Sequence, residues 1–520
     1  MATRPFSKCV LTSAAADFAS WAATSGVLVT TGDFNGDGAT DLALVRQTAG
    51  WASVPVALSS RQATGRFQNF IIQNRPVGSF ASWAATFGVR VLTGDFTGDG
   101  KTDLALVRQT AGWASVPVAV AFDVPLTTHL RQVRRFTTSS LTQEAADRIL
   151  TDATVVLQAF DGPDVVSRDD VACSTNMVRT GLVTAFTTGD GSIDSQAEFN
   201  TLMGIAGHIK VVNQINWCGA SVPGILGCAP TPGNSFAAVR FDRRQEGILW
   251  AHEFGHNKGL GHRDVPNAVM RPFIGITHRR INAGECNAYL TPSPALAVGA
   301  EMILDQDGHE SNATPMDVKD FVRRVFIQGV PYNSASKYTA SDVPVLLAML
   351  RDPANEPHWS NIVVTLGIIG DTSVVAPLIS FIESDEGDAV LTDEHYRAKT
   401  SAVMSLGYVL NKTGNQQVLT YLRESLDPQA WATRGVGGLA SFQASPAERN
   451  TDLSKHALLG LALSGHPKAA EALGALQRPA LTQSQQAFQA QIGDLVSEAL
   501  KDHRKIASQG LTRYYENARK

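Results

Sequence analysis

The chain has 520 residues and a formal net charge of −4, and 44% of its residues are hydrophobic. This length suits about three domains of ordinary size, and the apolar fraction is enough to bury ordinary cores. Because no cluster of basic residues is visible, the sequence predicts no nucleic-acid binding. No apolar run approaches the ~18 residues of a membrane span, so it also predicts no transmembrane segment.

The N-terminal region, residues 1–125, contains an internal repeat, since the unit that begins at Phe18 recurs almost unchanged from Phe80. Each copy has an acidic loop between two strand-like runs. The oxygen-bearing loop residues are Asp33, Asn35, Asp37 and Asp41 in the first copy and Asp95, Thr97, Asp99 and Asp103 in the second. Oxygen side chains at alternate positions suit Ca²⁺, which takes six to eight such ligands. The alternative is an acidic turn whose carboxylates only accept hydrogen bonds from backbone amides.

This repeat resembles the FG-GAP or VCBS type of β-propeller repeat over about residues 10–122. In that family such a loop joins two strands of a blade, so the resemblance implies β-propeller-like blades with loops that bind calcium. Two blades cannot close a ring, which normally takes four to eight. We therefore expect a truncated propeller, one completed by other chains, or an open two-blade sheet.

The central region, residues 138–300, mixes helical and strand patterns. Residues 141–160 have helical periodicity, whereas residues 208–217 (HIKVVNQINW) and 235–241 (SFAAVRF) are typical of strands. We interpret DGSID, residues 190–194, as a turn. These patterns predict an α+β domain around the helix described next.

That helix carries the sequence HEFGHNKGLGH, which begins at His252. His252 and His256 are four residues apart and therefore lie on the same helical face. Gly259, followed by a second glycine, can end the helix and reverse the chain so that His262 joins them. Three histidines, with a fourth position left for water, are typical of a catalytic zinc site.

Glu253 directly follows the first of these histidines, too close in sequence to require a role as a ligand. We expect its carboxylate to take a proton from the zinc-bound water, which predicts metal-assisted hydrolysis. A chance HExxH on an amphipathic helix is one alternative. A structural zinc site is another, but such a site has four protein ligands and no need of this carboxylate.

The segment resembles the extended HExxHxxGxxH motif of metzincin metallopeptidases, and Met270, eight residues after His262, matches their methionine turn. The resemblance implies zinc ligands at His252, His256 and His262, a general base at Glu253, and structural roles for Gly259 and Met270. In that family the methionine lies under the metal without binding it, and an edge strand pairs with the extended substrate. We expect this edge strand at residues 235–241 or in the segment around them.

Two features depart from the family pattern. Arg263 follows the third histidine, and Arg271 follows the methionine, so no tyrosine ligand is indicated there. His278, Arg279 or Arg280 could stabilise an oxyanion, but exposed basic residues of a loop would give the same pattern, so we leave them out of the site.

Five cysteines favour an oxidising compartment. Cys218 and Cys228 bracket a short loop rich in Gly and Pro and could form a disulfide, and Cys173 and Cys286 could form a second, which leaves Cys9. Other pairings, and buried free thiols in a cytosolic protein, remain alternatives. We predict a secreted or cell-surface protein, although no apolar signal-peptide core is visible in the chain as given.

The C-terminal region, residues 312–520, is helical and rich in leucine. Leu-Gly pairs at residues 366–367 and 406–407 mark a period of about 40 residues, and a third copy covers residues 453–476. The pattern resembles HEAT-like repeats, which implies an all-α solenoid whose concave surface could bind a protein partner. The alternative is a purely structural helical region.

The sequence therefore predicts a multidomain protein with β-propeller-like repeat blades, an α+β metzincin catalytic domain and an all-α solenoid. The predicted function is a zinc-dependent endopeptidase acting on protein or peptide substrates, with Zn²⁺ and Ca²⁺ as cofactors. The alternative is a binding or adhesion protein whose zinc site is structural or vestigial. The presence of Glu253 beside three metal ligands favours the enzyme.

Overall fold

The computed structural model describes residues 16–34, 40–61, 67–77, 79–96, 101–119, 133–135, 141–159, 170–173, 175–179, 183–185, 191–241, 245–290, 301–302, 316–479 and 483–518. Among the predicted site residues, Asn35, Asp37, Thr97 and Asp99 lie outside the described residues, as does Cys9. The chain divides into two compact units. The first comprises residues 1–126, 157–176 and 280–286, and the second comprises residues 127–156, 177–279 and 287–520.

The fold is a mixture of α-helices and small β-sheets. The helices are α1 (Ala16–Ala22), α2 (Ser79–Ala84), α3 (Gln143–Gln158), α4 (Gln196–Gly204), α5 (Glu246–Asn257), α6 (Ala283–Leu290), α7 (Val318–Val322), α8 (Tyr332–Ala335), α9 (Val343–Arg351), α10 (Trp359–Ile369), α11 (Val375–Ile382), α12 (Asp393–Thr413), α13 (Gln416–Glu424), α14 (Pro428–Arg434), α15 (Pro446–Ser464), α16 (Pro467–Ala475), α17 (Gln483–Gln489) and α18 (Gly493–Asn517). Short 3₁₀ helices cover Ala340–Asp342, Pro353–His358 and Thr372–Val374. In the described part of the chain, none of the helices combines the length and the apolar character that a membrane crossing requires.

The strands are β1 (Val27–Gly32), β2 (Asp41–Arg46), β3 (Ser53–Arg61), β4 (Phe67–Pro76), β5 (Val89–Gly94), β6 (Asp103–Arg108), β7 (Val118–Ala119), β8 (Val133–Arg135), β9 (Thr184–Ala185), β10 (Ser192–Ile193), β11 (Ile209–Val212), β12 (Gln214–Trp217), β13 (Ser221–Ile225), β14 (Gly227–Cys228), β15 (Pro230–Thr231), β16 (Phe236–Val239), β17 (Phe273–Ile274), β18 (Glu301–Met302), β19 (Val325–Phe326), β20 (Val390–Leu391) and β21 (Leu439–Ala440). Residues 192–193, expected in a turn, instead form β10, which pairs in parallel with β12.

The first unit contains the two sequence repeats as two antiparallel sheets, with strand orders β1-β2-β3-β4 and β5-β6-β7. The copies have the same register, because Gly32 faces Asp41 in one sheet and Gly94 faces Asp103 in the other. One hydrophobic core is shared by both repeats and includes Phe34, Val45, Phe80 and Leu106. The described strands thus form two open sheets on a common core and no closed propeller.

The main sheet of the second unit has the strand order β14-β16-β11-β8-β9. Of the two places expected for the edge strand, residues 235–241 themselves are not an edge, since β16 lies between β11 and β14. Its four residues are all apolar and buried, which is typical of a strand inside a sheet. The edge is β14, which runs antiparallel to β16.

The helices of the C-terminal region stack in consecutive pairs. A Cβ atom at Gly367 of α10 would come within 2.7 Å of Ser405 in α12, and Gly407 of α12 lies directly against Gly460 of α15. The repeated Leu-Gly pairs therefore mark the positions where two helix backbones approach closely, which only glycine allows. This stacking is compatible with HEAT-like repeats, and the assignment to that family stays a prediction.

Strand β13 joins the central region to the helices. The Ser221 amide donates to the Tyr514 hydroxyl at 3.0 Å, the Tyr515 hydroxyl donates to the Ser221 carbonyl at 3.0 Å, and the Ser221 hydroxyl donates to Asp502 at 2.9 Å. All three polar groups of one strand residue are thus bonded to α18. The boundary predicted between residues 300 and 312 therefore does not separate two compact units.

Two disulfides are present, with the pairing expected from the sequence. Cys173 and Cys286 are joined in the first unit, with their Cα atoms 5.4 Å apart. Cys218 and Cys228 are joined in the second, with a Cα separation of 5.8 Å, and this bond ties the end of β12 to the edge strand β14.

Candidate metal centre

Helix α5 carries the first two histidines and is buried along its whole length. Glu246 in its first turn forms an ion pair with Arg240, and a carboxylate there also complements the helix dipole. Burial raises the pKa of Glu246 despite this partner. Gly247 lets α3 approach, because a Cβ atom there would lie 2.7 Å from Asp152. The helix is thus a rigid support for the site.

The turn after α5 brings the third histidine to the other two. Gly259 adopts a φ of +85°, the left-handed conformation expected from the sequence. Its amide donates to the His256 carbonyl at 2.8 Å, and the Leu260 amide donates to the Gly255 carbonyl at 3.0 Å. This pair of bonds is a Schellman motif, which ends the helix and redirects the chain. As a result, one ring nitrogen from each of the three histidines lies within 4.8 Å of the others, with His262 the most exposed.

Backbone carbonyls fix the orientation of two imidazoles. Nδ1 of His252 lies 2.9 Å from the Val269 carbonyl, and Nδ1 of His256 lies 2.8 Å from the Leu260 carbonyl. A carbonyl only accepts, so Nδ1 carries the hydrogen in both rings and Nε2 presents a lone pair. Burial lowers the pKa of His252 well below its usual range and that of His256 to about 4, so both rings are neutral at neutral pH.

The two Nε2 atoms are only 3.0 Å apart. Two lone pairs at that distance repel each other and cannot form a hydrogen bond, whereas a cation shared between them would turn the repulsion into two bonds. Tetrahedral Zn²⁺ with Zn–N bonds of about 2.0–2.1 Å places its nitrogen ligands about 3.3 Å apart. The donor type, tautomers and spacing therefore fit zinc.

The Glu253 side chain is fully buried, and neither carboxylate oxygen has a hydrogen-bond partner among the described residues. Desolvation raises the pKa of this carboxyl well above its usual range. The side chain packs against the backbone of β14, where a Cβ atom at Gly227 would collide with Oε1. A buried carboxyl without compensation costs stability, which is typical of a functional rather than a structural group.

Met270 is fully buried and packs against α5 from below. A Cβ atom at Gly255 would lie 3.0 Å from Met270 Cε and 2.7 Å from the Tyr289 hydroxyl. That hydroxyl donates to the Ala251 carbonyl at 2.9 Å and lies 3.5 Å from Met270 Sδ. Tyr289 was not predicted, since no motif spacing points to it. The one signal in the sequence is Gly255, a glycine between two candidate metal ligands, where a neighbouring side chain can approach the helix closely.

The prediction that His278 is exposed is wrong, because it is only 4% exposed. Its ring packs on Phe273 with centroids 5.5 Å apart, and burial lowers its pKa to about 4. Arg279 is exposed as expected. Arg280 is half-buried, with its guanidinium 3.6 Å from Asp170. The neutral His278 ring is therefore packed inside the second unit and does not carry a charge at its surface. The reason is that the chain after Met270 folds back onto this unit.

In the acidic loops of the first unit, two carboxylates accept hydrogen bonds from backbone amides. Oδ2 of Asp41 accepts the Phe34 amide at 2.8 Å, and Oδ2 of Asp103 accepts the Phe96 amide at 3.0 Å. Both aspartates are fully buried. Across the described ranges, the histidine triad is the only group of three or more His, Cys, Asp or Glu residues placed to share an ion. The structure therefore brings together the predicted zinc ligands, and it shows Asp41 and Asp103 capping backbone amides.

Comparisons of the chain with protein-family models, with curated protein sequences and with solved structures found no match. The resemblances to metzincins, FG-GAP repeats and HEAT-like repeats therefore rest on the motif residues alone. The geometry of the site is what bears on the function of the chain.

Proposed function

We propose that the chain is a zinc-dependent endopeptidase whose active centre is formed by His252, His256, His262 and Glu253. One observation carries this proposal. The Nε2 lone pairs of two neutral, buried imidazoles face each other at 3.0 Å, and Glu253, the residue that follows His252, carries a buried carboxyl that has no hydrogen-bond partner in the described chain. A shared cation explains the first feature, and a role in proton transfer explains the second.

A zinc ion held by the three histidines would supply a Lewis acid and would lower the pKa of a water molecule in its open position. Glu253 would accept a proton from that water and return it to the leaving amine. Because neither carboxylate oxygen is hydrogen-bonded within the described part of the chain, both can serve this transfer. Met270 and Tyr289 hold the helix that positions the ligands.

The complete burial of His252 and Glu253 favours a second candidate, a binding protein in which zinc is structural. A structural zinc site normally has four protein ligands. The group found among the described residues has three, together with an adjacent carboxyl that a structural site does not need. The endopeptidase is therefore the better-supported function.

The test is cleavage of denatured casein by the zinc-loaded wild type and by Glu253→Gln. The matched control is Glu144→Gln, which makes the same change at an exposed position of α3. We expect Glu253→Gln to lose about 10²–10⁴-fold in rate and the control to match the wild type. Zinc content, measured by mass spectrometry, should be equal in all three. Equal cleavage by wild type and Glu253→Gln, or none by zinc-loaded wild type, would reject the proposal.

We further propose that the protein is exported, because two disulfides suit an oxidising compartment. Calcium binding by the acidic loops stays a prediction, since four of the eight expected ligands lie outside the described residues. A protein partner on the helical repeats is likewise still a prediction.

A further inference from the structure

The edge of β14 next to Glu253 is already paired with another part of the chain. The carbonyl of Ile327 accepts the Leu226 amide at 2.7 Å and the Gly227 amide at 3.3 Å. Gly227 is the residue whose backbone packs on the Glu253 carboxylate. Ile225 also forms an antiparallel bridge with Gln328. The amides of Leu226 and Gly227, next to the candidate general base, are therefore already hydrogen-bonded within the molecule.

The other side of Ile327 is bonded as well. Its amide donates to the Pro272 carbonyl at 3.2 Å, two residues beyond Met270. One step earlier in the chain, Phe326 pairs with Phe273 in the antiparallel β17–β19 ladder. Ile327 is thus held between the edge strand beside Glu253 and the segment that follows the methionine turn.

An extended peptide that reached this centre would use the same backbone groups. Exposed strand edges bind extended peptides through main-chain hydrogen bonds. Here the amides at residues 226 and 227 and the carbonyl at residue 272 are all bonded to Ile327, so none of these three bonds can be made to a peptide while Ile327 stays in place. In agreement, His252 and Glu253 have no exposed surface.

We propose that Arg324–Gln328, called the latch below, is an autoinhibitory segment that occupies the substrate-binding edge of the zinc centre. Its consequence for activity rests on the proposed function. The latch must leave the edge of β14 before an extended peptide can bind there. A molecule with a closed latch cannot bind an extended peptide, so the fraction of molecules with an open latch limits the wild-type activity without abolishing it.

Side chains hold the latch in place. Phe326, Ile327 and Gln328 are 4%, 0% and 3% exposed. The Arg324 guanidinium lies over the Phe273 ring at 4.4 Å, which pins the start of the latch by a cation–π contact. None of these residues belongs to the proposed catalytic group, so the latch can be weakened without altering that chemistry.

Two variants release the latch in different ways. Ile327→Pro removes the amide that donates to the Pro272 carbonyl and keeps the carbonyl of residue 327. Arg324→Ala removes the stacking contact. The matched control is Arg323→Ala, which makes the same change of charge one residue earlier, at an exposed side chain. Circular dichroism and thermal unfolding establish that each variant is folded.

The readout is access to the metal. Protein loaded with Co²⁺ is mixed with the tripeptide hydroxamate Pro-Leu-Gly-NHOH, and the change in the visible Co²⁺ spectrum gives the rate of binding. We expect Ile327→Pro to bind about tenfold faster than wild type, the ratio that loss of a typical hydrogen bond produces. Arg324→Ala should bind about threefold faster, and Arg323→Ala at the wild-type rate. Cleavage of casein should increase in the same order.

Equal hydroxamate binding rates in wild type, Ile327→Pro and Arg324→Ala would overturn the latch, whatever the cleavage rates are. If Ile327→Pro fails to fold, the comparison of Arg324→Ala with Arg323→Ala decides alone. Faster hydroxamate binding without cleavage by any variant would keep the latch and reject the peptidase. Cleavage by wild type at the rate of both release variants, with equal binding rates, would keep the peptidase and reject the latch.

Discussion

The histidine centre and the acidic loops are both metal-binding patterns in the sequence, yet they differ in what their side chains bind. At the centre, backbone carbonyls accept hydrogen bonds from Nδ1 of His252 and Nδ1 of His256. The Nε2 atoms of the two rings face each other. In the loops, Oδ2 of Asp41 and of Asp103 accepts a backbone amide, and this happens in both copies of the repeat.

The difference shows what turns a pattern into a metal site. Hydrogen bonds to the protein can orient a ligand, as they do for His252 and His256, or can use the electron pairs that a metal would need. A histidine can hydrogen-bond to the protein through one ring nitrogen and bind a metal through the other. A carboxylate oxygen that accepts a backbone amide stabilises the turn, whether or not a metal is bound. Asp41 and Asp103 therefore have a structural role that exists without any ion.

Removal of zinc should produce the largest effect and should separate the two regions. We expect 1,10-phenanthroline, which binds zinc in preference to calcium, to lower the stability of the second unit by about 4 kcal/mol at free zinc a thousandfold above Kd. Removal of Ca²⁺ alone, by gel filtration into a Ca²⁺-free buffer with the same free zinc, should leave that transition unchanged. Scanning calorimetry of the full chain measures both. A transition of the second unit that responds to removal of Ca²⁺ and not to phenanthroline would contradict a zinc centre.

Gly255→Ala should be the most damaging single substitution beside the centre. The added methyl group would collide with the side-chain ends of Met270 and Tyr289, which are both fully buried and would have to shift within a packed core. We expect a loss of about 3 kcal/mol from overpacking, measured by urea unfolding. The control is Gly474→Ala in α16, where a Cβ atom meets nothing within 4 Å. There the substitution should be neutral or stabilising by up to about 1 kcal/mol. A small loss of stability in Gly255→Ala would show that Met270 and Tyr289 pack loosely against helix α5.

Much of the histidine centre could be predicted because the placement of its residues depends on short spacings within one segment of the chain. The spacing of His252 and His256 follows from the helix repeat, and Gly259 marks the turn that brings in His262. Tyr289 and the latch could not be predicted, since their contacts are made by packing between segments far apart in the chain. The position of β16 inside its sheet did have a signal, because an unbroken apolar run is typical of an interior strand.

For the acidic loops, the sequence predicts two alternatives, a calcium site or an acidic turn that caps backbone amides. Sequence spacing gives the same pattern for a calcium ligand and for an aspartate that caps a turn, because both place oxygen atoms near backbone amides. Asp41 and Asp103 cap backbone amides in the structure, and calcium binding by the loops stays a prediction beside that role. The repeat itself was evident from the sequence, and its open pair of sheets was one of three expected arrangements.

Substitution of Asp41 should cost less than either change at the centre. Asp41→Ala leaves the buried Phe34 amide without its acceptor, so we expect a loss of about 1–2 kcal/mol from the first unit. Asp41→Asn keeps an acceptor oxygen and should lose about half as much or less. Calorimetry with and without Ca²⁺ measures both, and Asp103 provides a repeat of the experiment. If the Asn variant loses as much as the Ala variant, and only when Ca²⁺ is present, the loops bind calcium.

Gly259→Ala should have the smallest effect on stability and an informative effect on zinc. The only atom that a Cβ would meet there is 3.9 Å away, so the cost comes from the φ of +85° and not from a collision. We expect about 1 kcal/mol for alanine and less for asparagine, which tolerates this conformation. Because Leu260 in the same turn orients His256, and His262 follows it, zinc affinity measured by competition with a chromophoric chelator should fall more for alanine than for asparagine. Equal affinity in both variants would mean that the centre holds its ligands without help from the turn.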